Sequence, residues 1–132
     1  MNTLAMLERE VLQLLLSGDD PTLDILRQQA LTARVIRNVQ NPAGFCTYFE
    51  HPTDTPRVTP PTRFQLCDVI AEIEGLQYGA GFALFVEDGL IHSLEGYSYG
   101  ETWPEKVDRF NLAFASNKRD DLLILKRVRD KA

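Results

Sequence analysis

Between Phe64 and Glu105 the chain contains no lysine or arginine, although eight acidic residues fall there: Asp68, Glu72, Glu74, Glu87, Asp88, Glu95, Glu101 and Glu105. Affinity for nucleic acid rests on cations that neutralise phosphates, so this stretch argues against a nucleic-acid surface. Only the tail reverses the sign, with Lys118, Arg119, Lys126, Arg127, Arg129 and Lys131 against Asp120, Asp121 and Asp130. Long apolar runs are missing too. None approaches the roughly 18 residues of a membrane span, so no membrane partner is expected. The N-terminal MNTLAMLEREVLQLLLSGDDP lacks a basic start and is interrupted by Glu8 and Glu10, which argues against a secretory signal. Cysteine is scarce: Cys46 and Cys67 stand alone, outside any CxxC pair. Reduced, packed thiols in a cytoplasmic protein are expected. The two histidines, His51 and His92, fall in no HxxE or HExxH spacing, so neither a metal nor another cofactor is expected.

The 132 residues are 44% hydrophobic and 25% charged, with a net charge of -5, a composition that can build one compact core. A single domain over 1–132 is expected, with a helical hairpin over 1–32, an antiparallel sheet over 33–115 and a basic strand or helix over 116–132. The predicted class is α+β: two N-terminal helices packed on a curved, mainly antiparallel sheet of about five to six strands. Leu4, Leu7, Val11, Leu14 and Leu15 repeat with the period of a helix from about Thr3 to Ser17, which Gly18 stops. Asp20 before Pro21 reads as an N-cap with proline in the first turn of a second helix, its stripe Leu23, Leu26 and Ala30.

From Arg34 the period becomes that of strands. Arg34–Val39 and Gly44–Glu50 form a predicted hairpin, and His51–Thr62, with Pro52, Pro56, Pro60 and Pro61, a surface crossing loop. Asp88-Gly89 then marks a two-residue turn between apolar runs. An unbroken register from that turn sets Val86 opposite Ile91, Phe85 opposite His92 and Phe82 opposite Glu95. Both faces of the hairpin are mostly apolar, so its strands should be central and covered on both sides, or strongly bent. Phe64–Glu74 and Val107–Ala115 are predicted neighbours. Leu122–Val128 is expected as a final strand, although Leu122, Leu125 and Val128 also fit a short helix.

The groups able to carry chemistry are few, and no catalytic set emerges from them. His92 is expected among Phe85, Leu90 and Leu94 as a packed histidine, and His51 at the surface. Cys46 and Cys67 lie within strand segments, away from the helix N-termini that activate thiols. The glycines of Gly75–Gly81 precede a strand and have no lysine nearby, unlike a phosphate loop. Glu95 is expected on one face with Phe82, Leu84, Val86 and Ile91, where a carboxylate is paired or titrates high; Arg34, Arg37, Arg63 or Arg109 could pair with it. Tyr97, Tyr99 and Trp103 alternate with Glu95, Glu101 and Glu105. Rigid aromatics beside acids suit a cationic ligand or a basic protein surface.

The blocks LRQQ, RVIRN, GFCTYF, DVIAEIEGLQYGAGF and LFVEDGLIHSLEGYSYGETWP, spanning Leu26 to Pro104, resemble a group of small, uncharacterised bacterial proteins. The resemblance implies a bacterial, cytoplasmic, single-domain α+β protein and carries no activity, cofactor or catalytic residue. Two functions follow as expectations. One is a non-catalytic acidic interaction protein, in its concrete form a toxin-neutralising immunity-type protein with a basic partner. The other is a small-molecule binder or enzyme with Glu95 and His92 in a pocket between sheet and helices. The binding residues expected are Glu95, Tyr97, Tyr99, Glu101, Trp103 and His92. Homo-oligomerisation stays open.

Overall fold

A computed structural model describes residues 4–60, 63–116 and 118–130. Helix α1 (Met6–Leu15) and helix α2 (Pro21–Thr32) come first, followed by strands β1 (Arg34–Asn41) and β2 (Gly44–Glu50). Then come β3 (Phe64–Leu66), β4 (Val69–Ile73), β5 (Ala80–Glu87), β6 (Leu90–Ser98), β7 (Phe110–Phe114) and helix α3 (Asp120–Asp130). The class is α+β; among the described residues there are seven strands where five or six were expected, and a C-terminal helix beside the two expected N-terminal ones. The sheet is open, in the order β1-β2-β6-β5-β4-β7, with β3 also alongside β5. All the paired strands are antiparallel. No described helix is long and apolar enough to cross a membrane.

Local chemistry explains the first two helices. On α1, Leu7, Val11, Leu12 and Leu15 are buried, and Glu8 turns back to accept from the Ala5 amide at 3.2 Å. Thr3, the expected start of this helix, lies outside the described residues. The carbonyls of Leu16 and Gly18, left over beyond its end, accept from Arg27 Nη1 at 2.5 and 3.0 Å. Asp20 caps α2 by accepting from the Thr22 amide at 2.8 Å, as the Asp-Pro pair predicts.

The middle of the sheet departs from the unbroken register. Val86 faces Ile91, but Phe85 faces Ser93, so His92 is an extra residue that bulges from β6. The bulge lets both Ile91 and Leu94 enter the core, at 1% and 0% exposure. An unbroken strand would have sent Ser93 and Glu95 there instead. Glu95 consequently faces Ala83, on the opposite side from Phe82, Leu84 and Val86. The predicted setting of His92 among Phe85, Leu90 and Leu94, and of Glu95 among core apolars, is thereby corrected.

The strand expected over Phe64–Glu74 is broken at Cys67 and Asp68, whose amides donate to the Asp121 carboxylate at 2.9 and 3.0 Å. Those donors are lost to the ladder. Asp68 returns the bond by accepting from the Asp121 amide and from Arg119 Nε, at 3.0 and 3.1 Å. Arg119 also donates to the Ser17 carbonyl at 2.9 Å and lies 4.1 Å over the Phe114 ring. Leu122–Val128 is therefore helical, correcting the preferred strand: Asp120 and Asp121 occupy its first turn, and Leu125 and Val128 turn inward. Arg129 anchors its far end on both oxygens of Asp20, at 2.7 Å each.

The proline-rich loop is more than a surface crossing. Val58 is 1% exposed, and its amide donates to the Gly89 carbonyl at 3.0 Å. Gln29, itself 1% exposed, donates to the carbonyls of Pro56 and Gly89 and accepts from the Ile91 amide, at 2.8–2.9 Å. Pro61 and Thr62 lie outside the described residues.

Replacing Asp121 with Ala is expected to orphan the Cys67 and Asp68 amides and to cost about 1–3 kcal/mol in urea unfolding. Burial pushes the Asp121 carboxyl up, while the two amides and Arg119 oppose that rise. A raised folded value means that its stabilisation is complete below the ordinary carboxylate range and is lost as pH rises through the raised one. The cost of Asp121→Asn should therefore shrink from acid to neutral pH, and a cost that grows would contradict this assignment. Gln29→Leu should cost a similar 1–3 kcal/mol, because roughly that penalty attaches to a buried amide left without its acceptor.

Candidate functional site

The helices pack on one face of the sheet only. Leu7, Val11, Leu23, Leu26 and Leu125 share one cluster with Phe45, Phe82, Leu84, Leu94 and Val69, and no residue of the opposite strand positions belongs to it. That opposite face can be read from the register as three rows. The first runs Arg37, Tyr48, Ser93, Phe85. The second runs Val39, Cys46, Glu95, Ala83, and the third Gly44, Tyr97, Gly81, Ile70, Ala113. Among the described residues no helix covers it. The hairpin strands are central, as expected, but their second apolar face is open.

Tyr97 lies flat on this face because Gly81 leaves room for it. A Cβ at Gly81 would stand 2.6 Å from the ring's Cζ and Oη. Tyr99 meets Tyr97 edge-on at 5.7 Å. Burial first, then Tyr99, Cys67 and Glu95, push the Tyr97 phenol up. The Tyr48 phenol is also raised, first by the neighbouring Cys46 thiol, with Glu95 adding and Arg37 opposing. Burial, with Asp121 and Asp68, pushes the Cys67 thiol up. These shifts favour neutral phenols and a protonated thiol, which offer hydrogen bonds rather than activated nucleophiles.

The expected site residues divide between the two faces. Glu95, Tyr97 and Tyr99 come together on the open side. Trp103 instead packs edge-on against Phe45 at 5.6 Å, and its amide donates to the Pro42 carbonyl at 2.7 Å, so it closes the core edge. His92 is half-exposed at the bulge, 3.4 Å from Glu87, 3.1 Å from Ser93 Oγ and edge-on to Tyr48 at 5.7 Å. His51 is half-buried rather than exposed, its Nε2 2.5 Å from the Ile91 carbonyl. Among the described residues no three potential ligands converge as a metal site.

Most of the acidic charge is already engaged. Asp68 meets Arg119, Glu74 meets Arg109, Glu87 meets Arg63 and Asp88 meets Arg57. Glu101 spends both carboxylate oxygens on the amides of Gln77 and Tyr78, at 2.9 Å each, and so holds the turn after β4. Among the described residues Glu72, Glu95 and Glu105 form no ion pair. The arginines expected for Glu95 serve elsewhere: Arg34 with Glu50, Arg63 with Glu87, Arg109 with Glu74, and Arg37 over the Tyr48 ring.

The open face continues into a groove of about 950 Å³ lined by Ile70, Glu72, Glu74, Tyr78, Tyr99 and Arg109. Ile70, Tyr78 and Tyr99 are 38%, 64% and 50% exposed there. Sequence reasoning missed Tyr48, Ile70, Glu72 and Tyr78. In Val69–Ile73 only Glu72 interrupts the apolar residues, and it marks the outward face of β4 on which Ile70 also lies. Between sheet and helices there is a second cavity, and neither Glu95 nor His92, around which a pocket is expected, lines it. No family model, curated protein or solved structure matches the chain.

Gly81→Ala should displace the Tyr97 ring at a cost of about 1 kcal/mol, since only a side-chain tip has to give way. Gly96→Ala should cost more, about 1–3 kcal/mol, because its Cβ would overlap the Phe45 ring in the core. Thermal unfolding gives the ranking, and the ring resonances of Tyr97 report the displacement.

Proposed function

We propose that the chain is a non-catalytic interaction protein, bacterial and cytoplasmic, that binds a basic protein partner through its open sheet face. The observation that carries this reading is the coincidence of Tyr97, Tyr99, Tyr78 and Ile70 with the unpaired carboxylates Glu72 and Glu95 on one uncovered surface. Tyrosines supply large contact area with polar tips and receive cations on their faces, while unpaired acids steer a basic surface into place. A toxin-neutralising immunity-type protein is the concrete form, because masking a basic enzyme surface needs complementarity and no catalysis. Glu101 supports the face indirectly, by fixing the turn that carries Tyr78.

The test is a titration of the isotope-labelled chain with an amphipathic Lys/Leu peptide, followed by amide and tyrosine resonances. Shifts centred on Ile70, Glu72, Tyr97 and Tyr99 are expected, weakening with salt. The double variant Glu72→Lys, Glu95→Lys should lose at least about tenfold in affinity, or about 1.4 kcal/mol, with the fold unchanged. Shifts on another face, or an affinity indifferent to the charge reversal, would overturn the reading.

A further inference from the structure

The cavity between sheet and helices measures about 580 Å³ and opens where the start of α1, the end of α2 and the paired ends of β1 and β2 meet. Its lining is mostly apolar, with Leu4, Leu12, Ala30, Val35, Phe49 and Ile91. Its size lies within the range of sites that enclose small molecules. Three charged side chains, Arg9, Arg34 and Glu50, also line it. Arg34 and Glu50 pair with each other. Arg9 forms no ion pair or side-chain hydrogen bond among the described residues. The pocket therefore combines a greasy interior with one uncommitted guanidinium.

We infer that this cavity is a binding site for an amphipathic monocarboxylate, a ligand with an apolar chain or ring and one anionic head. The chain lies against Leu12, Phe49 and Ile91, and the head meets Arg9. A guanidinium is planar, permanently charged and matched to a carboxylate by two parallel N–H donors. With Arg34 and Glu50 paired, the three charged side chains of the lining sum to one positive charge, which disfavours a cationic head. A neutral alcohol of equal length would gain the apolar contacts and lose the ionic one. The site is independent of the open sheet face, being built on the opposite side of the sheet.

Decanoate, decan-1-ol and decyltrimethylammonium, titrated separately into the full chain and followed by amide resonances, test the assignment. Saturable shifts at Leu12, Ala30, Phe49 and Ile91 are expected with decanoate, weaker ones with the alcohol and none with the cation. Arg9→Gln, at an exposed position, should weaken decanoate about tenfold and leave the alcohol unchanged. Ala30→Phe, which fills the cavity from a half-buried helix position, should abolish both. Equal binding of decanoate and the cation, shifts centred elsewhere, or an unchanged decanoate affinity in Arg9→Gln would each overturn the proposal.

Discussion

One extra residue in the central strand decides which chemistry meets solvent. Because His92 is bulged out of the β5–β6 ladder, the phase of β6 reverses between Ile91 and Leu94. Both apolar side chains can then face the helices, a gain of roughly 1.5–3 kcal/mol for each large apolar group taken out of water. The same reversal places Glu95 and Tyr97 on the other side. It also coincides with two further contacts: the Ile91 amide meets Gln29 and its carbonyl meets His51. The core, the helix contact and the open face thus depend on a single local irregularity, because a bulge re-aims the side chains on either side of it.

The charge segregation along the chain has a different meaning in space. Half of the eight acids in the middle find partners outside it: Arg57 and Arg63 precede it, Arg109 and Arg119 follow it. The buried pair is the consequential one, since Asp68 and Arg119 have 6% and 13% side-chain exposure and are joined by further hydrogen bonds. Exposed pairs such as Arg109–Glu74 contribute little. The basic tail is likewise turned inward at both ends of α3, through Arg119 and Arg129. Among the described residues Glu72 and Glu95 are left without an ion pair, and both lie on the open face.

The elements with strong local signals were legible. The Asp20-Pro21 cap, the Asp88-Gly89 turn and the alternation of Gly44–Glu50 each reflect backbone chemistry within a few residues. The errors arose where a distant group intervenes. Asp121 breaks a continuous strand pattern by taking the amides of Cys67 and Asp68, more than fifty positions away. The bulge at His92 leaves no composition signature, because Ile-His-Ser-Leu can be read in either phase until the core selects one. Tyr97 and Glu95 were legible as candidates, but their shared face depends on that choice. Trp103 illustrates the converse, since its spacing from Tyr99 suggested a common surface while Phe45 and Pro42 draw it to the core.

The manner in which the proposed partner would engage follows from the sheet's edges. An exposed edge strand invites another strand to add to it, and natural sheets blunt that tendency with bulges, charges and short strands. The β1 edge carries such devices: Arg34 and Arg37 flank a register shift at which Ile36 stands out, 51% exposed. At the other edge β7 is a short strand of five residues, which limits the ladder that a further strand could form on it. Both edges are blunted by such devices, whereas the broad face between them retains Tyr48, Tyr97, Ile70 and the carboxylates Glu72 and Glu95, which form no ion pair among the described residues. The proposed partner would therefore be met by side chains on that face, with charge complementarity rather than backbone pairing setting its specificity.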